Sequence, residues 1–482
     1  MATGNSRYQH YTNPLVERYA SNEMSGIFSP QYKFQTWRRL WVALAEAEAE
    51  IGLDINDAQL DELRAHVEDI NFEFAEAQEK KLRHDVMAHI RAYGEQCPKA
   101  RGIIHLGATS AFVGDNTDLI QMRQALYLVR TRLVNAMDTL AQFAAAHRDL
   151  VALGYTHFQP AQLTTVGRRA VLWLQDLTFD LEDLEHCLAT LQFRGAKGAT
   201  GTQASFMQLC NDDVEQVKHI DQRVAEKMGF DHTLPVTGQT YPRKYDSRVL
   251  SVLSGIAQSA HKFSNDIRLL QSVGEIEEPF GSHQVGSSAM PYKRNPVRSE
   301  RMAALARHII CASLNPAFTA AGQWFERTID DSANKRLSIP EAFLATDAIL
   351  ILCQEIAGGL VVYPAVIAKR VEEFLPFLAA ENLMMEGVKA AGDRQVLHEK
   401  IRQHAMDTWH HMRVEGGAND LLQRLRSDLA FTPVLPQLPD KPEAKAYIGR
   451  ATQQVDEFLA DVYQPLRERY SDLLGKVVAT RV

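Results

Sequence analysis

DNTDLIQMRQALYLVRTRLVNAMDTL, residues 115–140, is the stretch whose reading decides the fold. Leu119, Met122, Leu126, Val129, Leu133, Met137 and Leu140 recur there at steps of three and four. That spacing draws one apolar stripe along a helix. Two later segments repeat it: Trp173, Leu177, Leu181, Leu184, Leu188 and Leu191, then Val249, Leu253, Ile256, Ala260, Phe263, Ile267 and Leu270. Each predicts a rod of roughly 30 residues, about 45 Å at 1.5 Å per residue, well beyond the usual globular helix. Heptad-like stripes pack rods nearly parallel or antiparallel. Rods this long are expected to leave apolar surface bare in a monomer, which predicts a helical bundle shared between subunits. Asp115 and Asp118 read as the start of the first rod, where cap and dipole favour acids.

On either side the pattern stays helical. Residues 1–30 read as an irregular arm. Helices are predicted at about 32–51, 57–67 and 71–93, and Gly94, Pro98, Gly102, Gly107 and Gly114 make 94–114 a joint. Past the rods, helices are predicted at about 212–229, 297–319, 340–360, 365–374, 380–391, 394–415 and 451–474. Residues 323–336 read as a polar connector, and 431–442, with four prolines, as a loop. No stretch shows convincing strand alternation. The predicted fold is all-α with three helical domains: 1–110, a central long-helix bundle at 111–362 that carries the Ser287 loop and is shared between subunits, and 363–482.

The chain has 482 residues, 45% apolar and 23% charged, with a net charge of −8. This is ordinary for a soluble globular protein, and the lack of a long basic run argues against a general nucleic-acid binder. A small anionic substrate stays open, because a few arginines make a local positive site. The five cysteines are scattered, with no CxxC pair. That fits free thiols in a reducing, cytoplasmic compartment rather than disulfides or zinc. Met1 to Tyr11 is polar, so no signal peptide is expected. No run of 18 apolar residues occurs, so no membrane span is expected.

Polar clusters interrupt the scaffold in loops or at helix ends, where sites usually sit. Thr156 and His157 lie beside Pro160, off the apolar stripe. His157 reads either as a proton-transfer group or as a histidine hydrogen-bonded at a helix start. His84, Asp85 and His89 are spaced i, i+1, i+5, which does not put three ligands on one helical face, so no metal is expected. Arg327 and Arg336 read either as anion ligands or as surface ion pairs. Ser287 and Ser288 ride on a glycine-bounded loop, and Lys293 and Asn295 stand where the next helix begins. Pro296 suits a first helical turn. The loop reads as a helix cap, or as an anion site at a helix N-terminus.

The string GSSAMPYKRNP (286–296) resembles the signature of the fumarase/aspartase superfamily. Within it the chain is similar to the adenylosuccinate lyase family of eukaryotic type. RYAS (18–21), KLRHDVMAH (81–89), IHLGATS (104–110), THFQPAQ (156–162), TGTQASF (200–206) and QWFERTIDDSAN (323–334) carry the likeness. It implies a β-elimination without a cofactor. Fumarate is expected to leave adenylosuccinate, giving AMP, and the succinyl-carboxamide ribotide of purine synthesis, SAICAR, giving AICAR. Argininosuccinate lyase or fumarase chemistry, or an inactive structural relative, are the alternatives.

The resemblance also assigns roles. Ser287 is the expected base and His157 the expected acid. A serine hydroxyl is a poor base unless its alkoxide is stabilised. The helix N-terminus, loop N–H groups and Lys293 are the expected source of that stabilisation. Lys293 and Asn295 would hold the substrate carboxylate, and Glu300 would orient His157. His84 is a second histidine near the substrate. Arg18, Tyr19, Arg83, Arg327, Ser332 and Arg336 are expected at phosphate and ribose, where the arginine fork suits phosphate. Asp85, Thr109, Ser110, Thr156, Gln239, Met290 and Arg301 are expected nearby. A site built from three subunits of a homotetramer is implied, with 276–292 as a lid and Gly281 and Gly286 as its hinges.

Overall fold

The computed structural model describes residues 9–390, 392–437 and 442–479. Part of the expected 1–30 arm, and part of the proline-rich loop at 438–441, lie outside them. The described part of the arm is more regular than expected. Leu15–Tyr19 forms a π-helical turn, and α1 (Asn22–Ile27) follows, capped by Ser21 Oγ accepting from the Met24 N–H. Ser29 caps α2 (Pro30–Glu50) in the same way, with Pro30 in its first turn. A capping box between Asn56 and Gln59 starts α3 (Asp57–Ala65).

The helix expected at 71–93 is two helices, α4 (Phe72–Leu82) and α5 (Asp85–Gln96). Arg83 between them takes a left-handed φ of 56°, and His84 is extended and caps α5. No glycine marks this corner, so periodicity runs straight through it. The corner turns Arg83, His84 and Asp85 out of the helical stack.

The rods are α6 (Ser110–Ala146), α7 (Val166–Thr190) and α10 (Lys244–Ser272). Between the last two lie α8 (Ala204–Leu209) and α9 (Val214–Lys227). α11 (Val297–Ala312) and α12 (Leu314–Gly322) break at Ser313, and α13 (Asp331–Gly359) is a fourth rod. It begins inside the expected connector and carries Pro340 within it. By composition it is long and apolar enough to cross a membrane, but 78% of that stretch is buried inside the fold, as a core rod must be. α6 packs on α7 and α13, and α10 on α7, α11 and α13. Every residue of the opening stripe, Leu119 through Leu140, is at most 1% exposed. Burying such side chains is worth about 1.5–3 kcal/mol each. One chain therefore covers its own stripes, which corrects the inference from them to a shared bundle. A different set stays uncovered: Leu172 and Phe179 on α7, Leu269 on α10, Leu314 and Phe318 on α12.

Strands are few, as an all-α fold requires, yet one hairpin escaped the reading of the sequence. β1 (Val151–Thr156) pairs antiparallel with β2 (Gln159–Thr165), with a register shift at Gly154/Tyr155. β3 (Ile276–Glu277) pairs with β4 (Val361–Val362). The C-terminal part holds α14 (Pro364–Lys389), continuous through Pro376 where two helices were expected. α15 (Arg394–Val414), α16 (Leu421–Ser427), a 3₁₀ stretch at Leu429–Gln437, α17 (Ala451–Glu457) and α18 (Gln464–Arg469) complete it. A second, smaller core gathers Leu383, Leu397, Leu421, Leu425 and Phe431.

Candidate active site

A cavity of about 530 Å³ opens where four distant segments meet, one of them α2 with Lys33 and Trp37. The α4–α5 corner brings Arg83, His84 and Asp85. The first turns of α6 bring Ser110, and Arg327, Ser332 and Arg336 arrive on the connector and the start of α13. His84 Nε2 lies 3.3 Å from Ser110 Oγ, and Arg336 lies 3.5 Å from Asp85. Arg327 donates to Gln239 Oε1 at 2.9 Å, which ties Gln239 to a residue of the cavity wall. Arg327 Nε is buried with no partner among the described residues, and so is the hydroxyl of Thr109, the residue before α6. A cavity with unfilled cationic donors suits a polyanion.

Beneath it runs a buried charge network that the sequence did not show. Arg243 reaches Asp331 at 2.6 Å and Asp115 at 3.0 Å. Lys335 pairs with Asp118 and lies 3.5 Å from Asp115. Burial pushes the Asp115 carboxyl up, but Arg243, Lys335 and Arg194 outweigh it and hold the group at about 2. Asp115 and Asp118 are therefore not the cap residues that the sequence predicts. α6 starts at Ser110, and these acids tie its second and third turns to α13. Their spacing from Ser110 was readable, but their partners lie more than 100 residues away.

The serine loop has a different geometry. Ser287 Oγ accepts from the Met290 N–H at 3.1 Å and from the Ala289 N–H at 3.3 Å. Those two donors would stabilise negative charge on that oxygen. Asn295 donates to the Gly286 carbonyl at 2.8 Å, and the Lys293 N–H to the Met290 carbonyl at 3.0 Å. A Cβ on Gly286 would sit 2.1 Å from the Lys293 carbonyl oxygen, so this glycine serves a close approach of two backbone strands. Lys293 and Glu300 are exposed.

The N-terminus of α11 is not free for a substrate anion. Glu278 occupies it, accepting from the Arg298 N–H at 2.9 Å and the Ser299 N–H at 2.8 Å. This corrects the expectation that the helix end would stabilise the alkoxide: of the expected donors, the loop N–H groups of Ala289 and Met290 are the ones that reach Ser287 Oγ.

His157 stands elsewhere again, at the tip of the β1–β2 hairpin and exposed beside Thr156. Thr156 pairs with Gln159, so His157 and Phe158 form a two-residue turn, with φ of 53° and 57°. That turn normally asks for glycine or asparagine, and here two bulky side chains hold it. No side-chain hydrogen bond joins His157 to Glu300 among the described residues. Arg301 stacks its guanidinium 5.7 Å from the Tyr19 ring centroid, with Arg18 exposed beside it. His89 is no partner of His84: it is buried and stacked 3.7 Å from Phe34, and burial brings its imidazole down to about 4.

One chain thus gathers Arg83, His84, Asp85, Ser110, Gln239, Arg327, Ser332 and Arg336. It leaves three other groups apart: Ser287 with Met290, Lys293 and Asn295; Thr156 with His157; and Tyr19 with Arg301. Neither Ser287 nor His157 lines the cavity.

A family profile described as Lyase matches residues 17–311, and one described as Adenylosuccinate lyase C-terminus matches residues 376–458. A Saccharomyces cerevisiae protein named adenylosuccinate lyase is 49% identical, over 96% of this chain and 98% of its own. A Schistosoma mansoni protein of the same name is 46% identical, over 97% and 98%. The fold is shared with a fumarate lyase from Mesorhizobium sp. BNC1, at 23% identity and a TM-score of 0.80, over 94% of this chain and all of that one.

Proposed function

The chain belongs to the adenylosuccinate lyase family, and from that premise we propose how its residues divide the work of a purine-biosynthetic lyase. The substrates are adenylosuccinate, giving AMP, and SAICAR, giving AICAR, with fumarate leaving both. Ser287 takes the proton from the carbon next to a succinyl carboxylate. The electron pair is held in that carboxylate as a dianion, which Lys293 and Asn295 stabilise. It then expels the nitrogen, which takes a proton from His157 as the C–N bond breaks. Glu300 orients His157, and His84 holds substrate rather than moving the proton.

The observation that carries this reading is the cation-lined cavity at Arg83, Arg327 and Arg336, with Ser332 between them in the chain. We assign it to the nucleotide phosphate; Arg18 and Tyr19, which stand apart from it in one chain, reach the same end of the substrate from another copy. Separation of Ser287 and His157 from that cavity supports a site completed by other copies of the chain, in a homotetramer. The uncovered Leu172, Phe179, Leu269, Leu314 and Phe318 supply apolar surface for such contacts. The five free cysteines fit a cytoplasmic enzyme.

The test is fumarate release, followed by absorbance, from adenylosuccinate, SAICAR, argininosuccinate and malate side by side. Release from the first two alone is expected. Turnover of argininosuccinate or malate instead would overturn the substrate reading.

A further inference from the structure

The cavity reaches past Arg336 to α2, where Lys33 and Trp37 form part of its wall. Lys33 does not belong to any sequence string that pointed to function. Its ammonium lies 5.1 Å from the Phe34 ring centroid and 5.0 Å from that of Trp37. Among the described residues it makes no ion pair and no hydrogen bond. Burial lowers its affinity for a proton, and Asp118, Arg336, Asp85 and Lys335 all act on it electrostatically. It therefore stands inside the charged cluster, not on the outer surface of α2.

The other lysine of the wall differs. Lys335 is committed to Asp118 and Asp115. Arg336 is only loosely held, 3.5 Å from Asp85. Lys33 has three donors, held over two rings that attract a cation but accept no conventional hydrogen bond. A half-buried ammonium without an acceptor is costly, and an anion in the cavity removes that cost.

We propose that Lys33 is a direct ligand of the substrate's 5′-phosphate, completing the cationic set of Arg83, Arg327 and Arg336. The assignment rests on the nucleotide reading of this cavity given above. Its aromatic seat holds the ammonium at the cavity wall without an acceptor, and a phosphate oxygen would supply one.

The test compares wild type with Lys33→Met and Lys33→Arg. In Lys33→Met, KM for adenylosuccinate is expected to rise about tenfold or more, the worth of one charge-assisted hydrogen bond. kcat is expected to stay within about threefold. The inhibition constant of inorganic phosphate is expected to rise with KM, while that of fumarate stays put. Lys33→Arg is expected to recover most of the loss. An unchanged phosphate constant in Lys33→Met, or an equal weakening of fumarate, overturns the proposal.

Should wild type release no fumarate, the lyase reading fails on its own. Stabilisation of the folded protein by inorganic phosphate then decides the lysine: it must be present in wild type and weakened in Lys33→Met, and absence of that difference overturns the assignment. If circular dichroism shows Lys33→Met unfolded, Lys33→Gln, which keeps a polar end, takes its place with the same two outcomes.

Discussion

Glu278 grips Ser299 twice: its carboxylate accepts from the Ser299 N–H at 2.8 Å and from the Ser299 hydroxyl at 2.7 Å. Both residues are buried. The entry strand of the serine loop is thereby fixed to the helix by which the loop leaves. Glu278→Gln keeps the shape but removes the charge that matches the helix dipole. A loss of about 1–3 kcal/mol in urea unfolding is expected, together with a fall in kcat. Unchanged stability would show that the cap does not hold the loop base.

Gly286→Ala tests the upper part of the same loop. The added Cβ meets the Lys293 carbonyl at 2.1 Å, so backbone must move. Because the segment is exposed, the melting temperature is expected to shift by no more than about 2 °C, whereas fumarate release falls at least about tenfold. Full activity would mean that the Gly286–Lys293 contact is absent when the enzyme turns over.

Ser287→Ala and His157→Ala are each expected to slow turnover by about 10²-fold or more. Mixing the two inactive variants under conditions that exchange subunits is the sharper measurement. If Ser287 and His157 of one site come from different chains, random mixing leaves about a quarter of sites with both groups intact. Recovery near that level is expected, and none at all would place both groups on one chain.

Arg243→Met strips Asp115 and Asp331 of their shared cation, both carboxylates being fully or almost fully buried. Breaking a buried pair of this kind costs about 3–5 kcal/mol. The wild-type contribution has a definite pH range. Asp115 is held at about 2, below its ordinary 3.8, so its stabilising share is complete above about pH 4 and is lost as pH falls toward 2. Denaturant midpoints from pH 2 to 7 are expected to converge for wild type and variant at the acid end.

Glu48 gives the opposite sign. It is fully buried in α2, its carboxyl oxygens have no partner among the described residues, and burial raises the group to about 9. Folded, it keeps its proton at neutrality; unfolded, it releases it above about 4.5. Stability therefore declines as pH rises from about 4.5 to 9. Glu48→Gln is expected to stabilise at pH 7, by an amount on the order of 3 kcal/mol, and to flatten that slope in thermal unfolding. A variant less stable at every pH would mean that the carboxyl has a partner.

What the sequence made legible follows the range of each interaction. The rods were visible because an apolar residue every third or fourth position is a local pattern, and Leu119 through Leu140 obey it without exception. The corner at Arg83 was not, because a left-handed arginine leaves no mark where glycine would. The hairpin hid because Gly154 and Pro160 interrupt the alternation of its strands. Ser287, His157 and the arginines were singled out by their motifs rather than by periodicity. Glu278, Lys335 and Lys33 carry no motif. Glu278 meets a helix start 21 residues on, and Lys335 meets an acid 217 residues back. Only the folded chain states those relations.

α13 presents Ser332 and Arg336 at its first turns and continues without a break through the most buried part of the bundle, at Phe343, Ile349 and Cys353. The cation-lined cavity and the integrity of the interior are thus two ends of one rigid lever. A compound that seats well between Arg83 and Arg336 will raise the melting temperature of the whole bundle, and a weakened interior will first be noticed as a poorer affinity. Screening for ligands and screening for damaged variants become a single thermal assay.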